Sequence, residues 1–207
     1  MSDGGADGNI ARALYGTSLP PAPRLLLRAG RLSAELVEGS IRRLAWDGTE
    51  IVRAIAFLIR DDAWGTLPAQ LDDPVVTADD EHFSVRFAGT IAGADASFAF
   101  AARIDGDAEG RFTFAVEGAP DRELLTNRAG FVLLHPADFG GVPVTLLGVD
   151  GSETDAVFPA TISPGQPFFD LRGLRYALPR AGTVTCLMQA SLPTDPLGRF
   201  ETEDQRN

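Results

Sequence analysis

Three phenylalanine-rich segments alternate apolar and polar residues with a period of two, and that period restricts the chain to strands. Over 83–87, Phe83, Val85 and Phe87 take one side while Ser84 and Arg86 take the other. Over 98–104, Phe98, Phe100, Ala102 and Ile104 share a side, with Arg103 opposite. Over 111–117, Phe112, Phe114 and Val116 oppose Arg111, Thr113 and Glu117. Successive strand side chains point to opposite faces, so a single apolar face marks a half-buried antiparallel strand. A helix would scatter the same phenylalanines around its circumference.

The turn chemistry agrees. Asp47-Gly48 separates "IRRLAW" from "TEIVRAIAFLI", the two-residue signal of a type I′ hairpin. Segment 51–60 is apolar at both parities apart from Arg53, which predicts a central strand covered on both sides. Phe131-Val132-Leu133-Leu134 is a second such run, stopped by Pro136. Further strands are expected near 143–149, 174–178, 183–190 and 198–203, and only 120–128 has room for a short helical turn. The 22 Gly and 14 Pro fit a turn-rich β protein. Residues 1–23, acidic, Gly-rich and closing on Pro20, Pro21 and Pro23, are expected to form a disordered or extended leader. Residues 24–207 then form one domain, and the expected class is all-β, a two-sheet antiparallel β-sandwich. A folded monomer of this length buries about 70% of its unfolded surface, so it needs neither disulfide nor metal to stand.

Charge narrows the partners. There are 29 acids against 18 bases, net −11, and every base is arginine. Nonspecific nucleic-acid affinity comes from neutralising phosphates, so a chain of pI 4.6 with no Arg run beyond Arg42-Arg43 is not expected to bind nucleic acid. The acidity reads as solubility. No apolar run approaches a membrane span, and no basic segment followed by an apolar one suggests a signal peptide, so a cytoplasmic location is the default. Cys186, within the apolar stretch 183–188, reads as a buried inert thiol.

Few residues advertise chemistry. Asp105, Asp107, Glu109 and Gly110 begin like an EF-hand loop, but its twelfth position is Val116 and its flanks are strands, so a solvated hairpin turn is expected. Asp150–Asp155 receives the same reading. Two histidines are too few for a His-rich metal site, and neither metal nor cofactor is expected. His82 opens an acidic strand and reads as a surface residue. His135 leaves a buried strand towards a sandwich rim, where it either bonds a loop carbonyl or faces a ligand. The acid pairs Asp61-Asp62, Asp72-Asp73 and Asp79-Asp80 are sequence neighbours, which strands point to opposite faces. There is no G-x-S-x-G elbow, P-loop or G-x-G-x-x-G. Three polar stretches stand out: Thr126-Asn127-Arg128, the Pro-flanked loop 162–168 carrying Gln166, and the closing Glu203-Asp204-Gln205-Arg206-Asn207.

Those stretches carry a resemblance. "NRAGFVLLHP", "FPATISPGQPF" and "FETEDQRN" resemble the N-terminal β-sandwich region of the D-apionate lactonase family, and the opening "ALYGTSLPPAPRLLLRAGRLSAELVEGSIRRLAWDGTEIVRAIAFLIRDDAWGTLP" is similar to the family's start. The resemblance implies an enzyme that opens the lactone of a branched sugar acid with water. It also implies a (β/α)-barrel-type domain after the sandwich, supplied by the same polypeptide or by a partner chain. The family pattern usually has His within S-P-x-Q-P-F, where this chain has Gly165, so any role of that imidazole is absent here. Family members continue past "EDQRN", which makes these residues look like an N-terminal domain separated from its barrel. The resemblance carries no catalytic residue onto them.

The expected chemistry therefore sits on the barrel loops. Asn127, Arg128, His135, Gln166, Asp204, Gln205, Arg206 and Asn207 are the candidates for a substrate rim or a domain interface. Arg forks onto a carboxylate, and amides suit hydroxyls. Two other readings stay open. A free-standing carbohydrate-binding module would need exposed rings among Tyr15, Trp46, Trp64 and Tyr176. A mutarotase-type sandwich enzyme would need His135 to converge with Glu203 or Asp170.

Overall fold

The computed structural model describes residues 12–13, 16–17, 20–161, 168–189 and 200–202. Within the first 23 residues, the Gly16 N–H donates to the Arg12 carbonyl at 3.0 Å. The first four strands form a meander: β1 (Leu25–Ala29), β2 (Leu32–Val37), β3 (Ser40–Trp46) and β4 (Thr49–Arg60). Its last hairpin closes as the turn chemistry requires. Asp47 and Gly48 have φ of 49° and 74°, and Trp46 pairs with Thr49 across them.

Five strands build a second sheet: β5 (Ala69–Leu71), β6 (Val75–Ala78), β7 (His82–Ala92), β8 (Ser97–Asp107) and β9 (Phe112–Pro120). The long pair β7 and β8 stays in register from His82↔Asp107 to Ala92↔Ser97. This register sets Gly106 against Phe83, whose ring lies across the glycine; a Cβ there would be 2.2 Å from the ring. β10 (Arg128–Leu134) then returns to β4 and completes the first sheet, in the order β1-β2-β3-β4-β10. After a 3-10 turn at Ala137–Phe139 the chain builds a third sheet. Its strands are β11 (Pro143–Gly148), β12 (Glu153–Val157), β13 (Phe168–Leu178), β14 (Gly182–Leu187) and β15 (Phe200–Thr202). All strand pairs are antiparallel, and among the described residues no sheet closes on itself.

The first two sheets pack face to face through phenylalanines. Phe57 of β4 meets Phe98 and Phe100 of β8 at 6.0 and 5.5 Å and its strand neighbour Phe131 at 5.7 Å. Phe131 in turn meets Phe114 of β9 at 5.0 Å. The third sheet is tied on by Tyr176, whose buried hydroxyl donates to the Ile51 carbonyl at 2.9 Å. One apolar core runs through all three sheets. β4 is central as expected, with Ile51, Val52, Ala54, Ile55 and Ile59 buried and Arg53 exposed.

The chain is thus an all-β antiparallel sandwich whose strands divide among three hydrogen-bonded sheets, one more than the sequence suggested. Residues 120–128 form no helical turn: the Asp121 carboxylate accepts the Ser97 N–H at 2.9 Å and holds that stretch as a bend. β13 begins at Phe168, ahead of the expected 174, and is interrupted by a register shift where Gly148 faces Leu171. Among the described residues no helix is long and apolar enough to cross a membrane.

Candidate functional site

β10 carries Arg128 at its start, and His135 follows its end. Seven residues of extended strand separate them by about 23 Å, so the two candidates serve different surroundings.

At the Arg128 end the chain builds a rim. Pairing of β10 with β4 sets Arg128 opposite Arg60, which brings residues 127–128 to the loop that follows β4. That loop is pinned from within. The Asp61 carboxylate accepts the N–H groups of Ala63 and Gly65 at 3.0 and 2.7 Å, and the Gly65 carbonyl accepts the Asp61 N–H at 2.9 Å. Asn127 fastens it from outside, its side-chain N–H donating to the Asp62 carbonyl at 2.7 Å and its backbone N–H to the Arg60 carbonyl at 3.0 Å. At the loop tip Trp64 stands 49% exposed with φ of 69°. The Arg128 guanidinium lies 5.5 Å from the Trp64 ring centre, a cation–π contact. Bulky residues rarely hold left-handed backbone, so this ring is kept outward against its local preference. Trp64 was read from sequence only as a possible exposed ring of a binding module and not as a rim residue; the signal available was an aromatic before Gly65 after a pair of acids.

The His135 end is apolar. Its imidazole meets the rings of Phe139, Phe158 and Tyr176 at 5.7, 5.0 and 5.4 Å, and these three also contact one another. Nε2 is buried with no hydrogen-bond partner. Burial lowers the imidazole pKa to about 4, because no partner compensates the charged form. Asp170 lies six residues from Tyr176 along β13, roughly 20 Å of strand. Cys186 sits beside Tyr176, with 3.7 Å between sulfur and phenol oxygen, and burial pushes its thiol pKa up, as expected for an inert cysteine.

A cleft of about 470 Å³ opens at one end of the third sheet. Leu146, Val149 and the buried Leu171 form its apolar lining together with Phe169, which is 55% exposed. The turn after β11 supplies Asp150 and Ser152, and Thr154 follows on β12. Asp150 accepts the Ser152 N–H at 2.9 Å, and the Ser152 hydroxyl and N–H together hold its carboxyl below the usual range. Gly148 lacks a side chain where this turn folds back, with Ser152 Oγ 2.5 Å from where a Cβ would stand. Asp170, on the same lining, has φ of 52°.

The remaining sequence candidates separate. The Asp105–Gly110 segment is a hairpin turn in which Arg103 forks onto Asp105 at 2.6 and 3.1 Å and the Asp107 carboxylate accepts the Arg111 N–H. His82 is exposed, 4.0 Å from Asp105. Gln166, Glu203, Asp204, Gln205, Arg206 and Asn207 lie outside the described residues. So does Tyr15.

Comparison with known proteins places this geometry. Residues 12–207 match the family model of the D-apionate lactonase N-terminal domain. The chain is 35% identical over 196 residues to a D-apionate lactonase of Brucella anthropi, an alignment that covers 94% of this chain. It spans 31% of that protein's length. No solved structure matches. A match that runs the length of all three sheets fixes the kinship: the chain belongs to the D-apionate lactonase N-terminal domain family.

Proposed function

We propose that this sandwich is the N-terminal domain of a lactonase-like hydrolase that opens a sugar-acid lactone with water, and that it supports the reaction without catalysing it. The observation that carries this reading is the match of residues 12–207 to the N-terminal-domain family, together with an alignment to a D-apionate lactonase of which the chain spans only 31%. The remainder of such a polypeptide, of barrel type or supplied as a partner chain, would hold the catalytic groups. No cofactor enters the reading, and the setting is cytoplasmic and carbohydrate-metabolic. Asn127 and Arg128, with Trp64, are suited to the junction with that remainder, since Trp and Arg dominate binding hot spots. Gln166 and Asp204 to Asn207 keep their place as rim candidates.

The experiment joins these residues to the C-terminal part of the Brucella anthropi lactonase and follows acid release from a branched sugar-acid lactone. Activity in the joined polypeptide and none in this chain alone is the expected pair of results. Lactone opening by the chain alone would end the non-catalytic reading, and a folded but inactive joined protein would end the lactonase reading. A binding module is the second reading, favoured by the exposed rings of Trp64 and Phe169. Tyr176 is buried, and Trp46 is half-buried beneath Arg31 at 4.6 Å, so neither strengthens it.

A further inference from the structure

We propose that the cleft at the end of the third sheet binds a neutral polyhydroxylated lactone ring and disfavours the carboxylate formed when that ring opens. The proposal rests on the lactonase reading and adds a site to it. The cleft has the volume of a small-molecule site, about 470 Å³, but its polar lining of Asp150, Ser152 and Thr154 is exposed, so it suits a weakly held ligand. Its parts suit a sugar-derived ring. Phe169 and the leucine lining offer apolar surface to ring C–H groups, the Thr154 hydroxyl offers a donor and acceptors, and Ser152, whose hydroxyl hydrogen is given to Asp150, offers an acceptor. Asp150 is an acceptor with no proton to give, so it takes a hydroxyl hydrogen and repels an anion.

The charge of the surroundings decides the selectivity. The lining carries two acids, Asp150 and Asp170, and no base, whereas Glu153 and Asp155 alternate with Thr154 on β12 and take the opposite face. Arg175 pairs with Glu153 on the strands, and Arg172, which follows the lining residue Leu171, also acts on Glu153. Lactone opening changes the ligand's charge in one step. The water oxygen adds to the acyl carbon, the ring C–O bond breaks, and the leaving oxygen takes one of the water's protons to become a hydroxyl. The new carboxylic acid then releases a proton at neutral pH. A neutral ligand thus becomes an anion beside an acidic wall, and the wall favours the reactant over the product.

The test uses the whole 207-residue chain, with D-ribono-1,4-lactone and sodium D-ribonate as the two probes. Amide NMR signals of Ser152, Thr154, Phe169 and Leu171 should shift saturably with the lactone, at a Kd on the order of 1–10 mM. Ribonate should bind about tenfold more weakly, and Asp150→Asn should narrow that gap. Phe169→Ala, at an exposed ring, should abolish the shifts while the melting temperature holds. Thr154→Val provides a second route should Asp150→Asn disturb its turn, and should weaken lactone binding. Equal affinity for both probes, no saturable shift, or shifts centred on Trp64 would overturn the proposal. If the joined polypeptide hydrolyses lactone while the cleft stays silent, the cleft proposal alone fails. If the cleft binds lactone and the joined polypeptide is inactive, the lactonase reading alone fails.

Discussion

His135 is surrounded by rings that admit only its neutral form. The folded pKa is lowered to about 4 by burial, against an ordinary value of 6.5. The unfolded chain therefore takes up a proton that the folded chain refuses between those values. The contribution to stability is complete above pH 6.5, falls as pH drops towards 4, and has no further slope below. We expect a loss of about 3 kcal/mol across that window, read from urea midpoints at pH 7.5, 5.5 and 4. His135→Phe should remove that part of the slope; an unchanged slope would place the titration elsewhere. At the other end of β10, Trp64→Gly replaces a strained backbone with a tolerant one and removes a surface cation–π contact. These effects oppose each other, at about 1 kcal/mol each. Stability should therefore hold within about 1 kcal/mol, which thermal melts will show. A larger drop would mean that the ring is needed for folding rather than for contact.

Two glycines show how differently one residue type acts within a strand and at a turn. Gly48 has φ of 74° with open space around it, so an added methyl meets only backbone strain. Gly106 lies under the Phe83 ring, and a methyl there would displace a fully buried side chain. Gly48→Ala should cost about 1 kcal/mol and Gly106→Ala about 2–3 kcal/mol, compared in denaturant melts. The reverse ranking would mean that β7 and β8 separate easily. Strands with one buried face were legible in the sequence: β7, β8 and β9 follow the alternation of their phenylalanines, and the Asp47-Gly48 hairpin follows its turn residues. β6 and β12 were not, because Val75–Ala78 is wholly exposed and Glu153–Val157 nearly so, leaving no apolar face to read.

At the scale of the molecule, Tyr176 joins the third sheet to the first through one buried hydrogen bond. Tyr176→Phe should cost about 1–2 kcal/mol, and double-mutant melts with His135→Phe should show coupling, since the two rings touch. Additivity would indicate that the aromatic cluster does not act as a unit. Alternation marks a strand but not the sheet it joins, which is why three sheets were read as two. The candidate rim was half legible for a similar reason. Asn127 and Arg128 stood out as a polar stretch, whereas Trp64 reaches them only through the β4–β10 pairing. The cleft was less visible still. Asp150–Asp155 read as a solvated turn, and only β13, arriving from later in the chain, sets Phe169 and Leu171 beside it.

That pairing also orders events in time. The whole of the second sheet lies in the span between Arg60 and Arg128, so the first sheet is interrupted and finished only after a long excursion. Neighbouring hairpins such as β7–β8 close short loops and form early, while β10 must find β4 across the entire intervening span. The Arg128–Trp64 contact comes into being with that late closure. A newly made chain therefore forms the Arg128–Trp64 contact only once its two first sheets are complete, and the onset of the Trp64 signal in refolding marks the closure of β10 on β4.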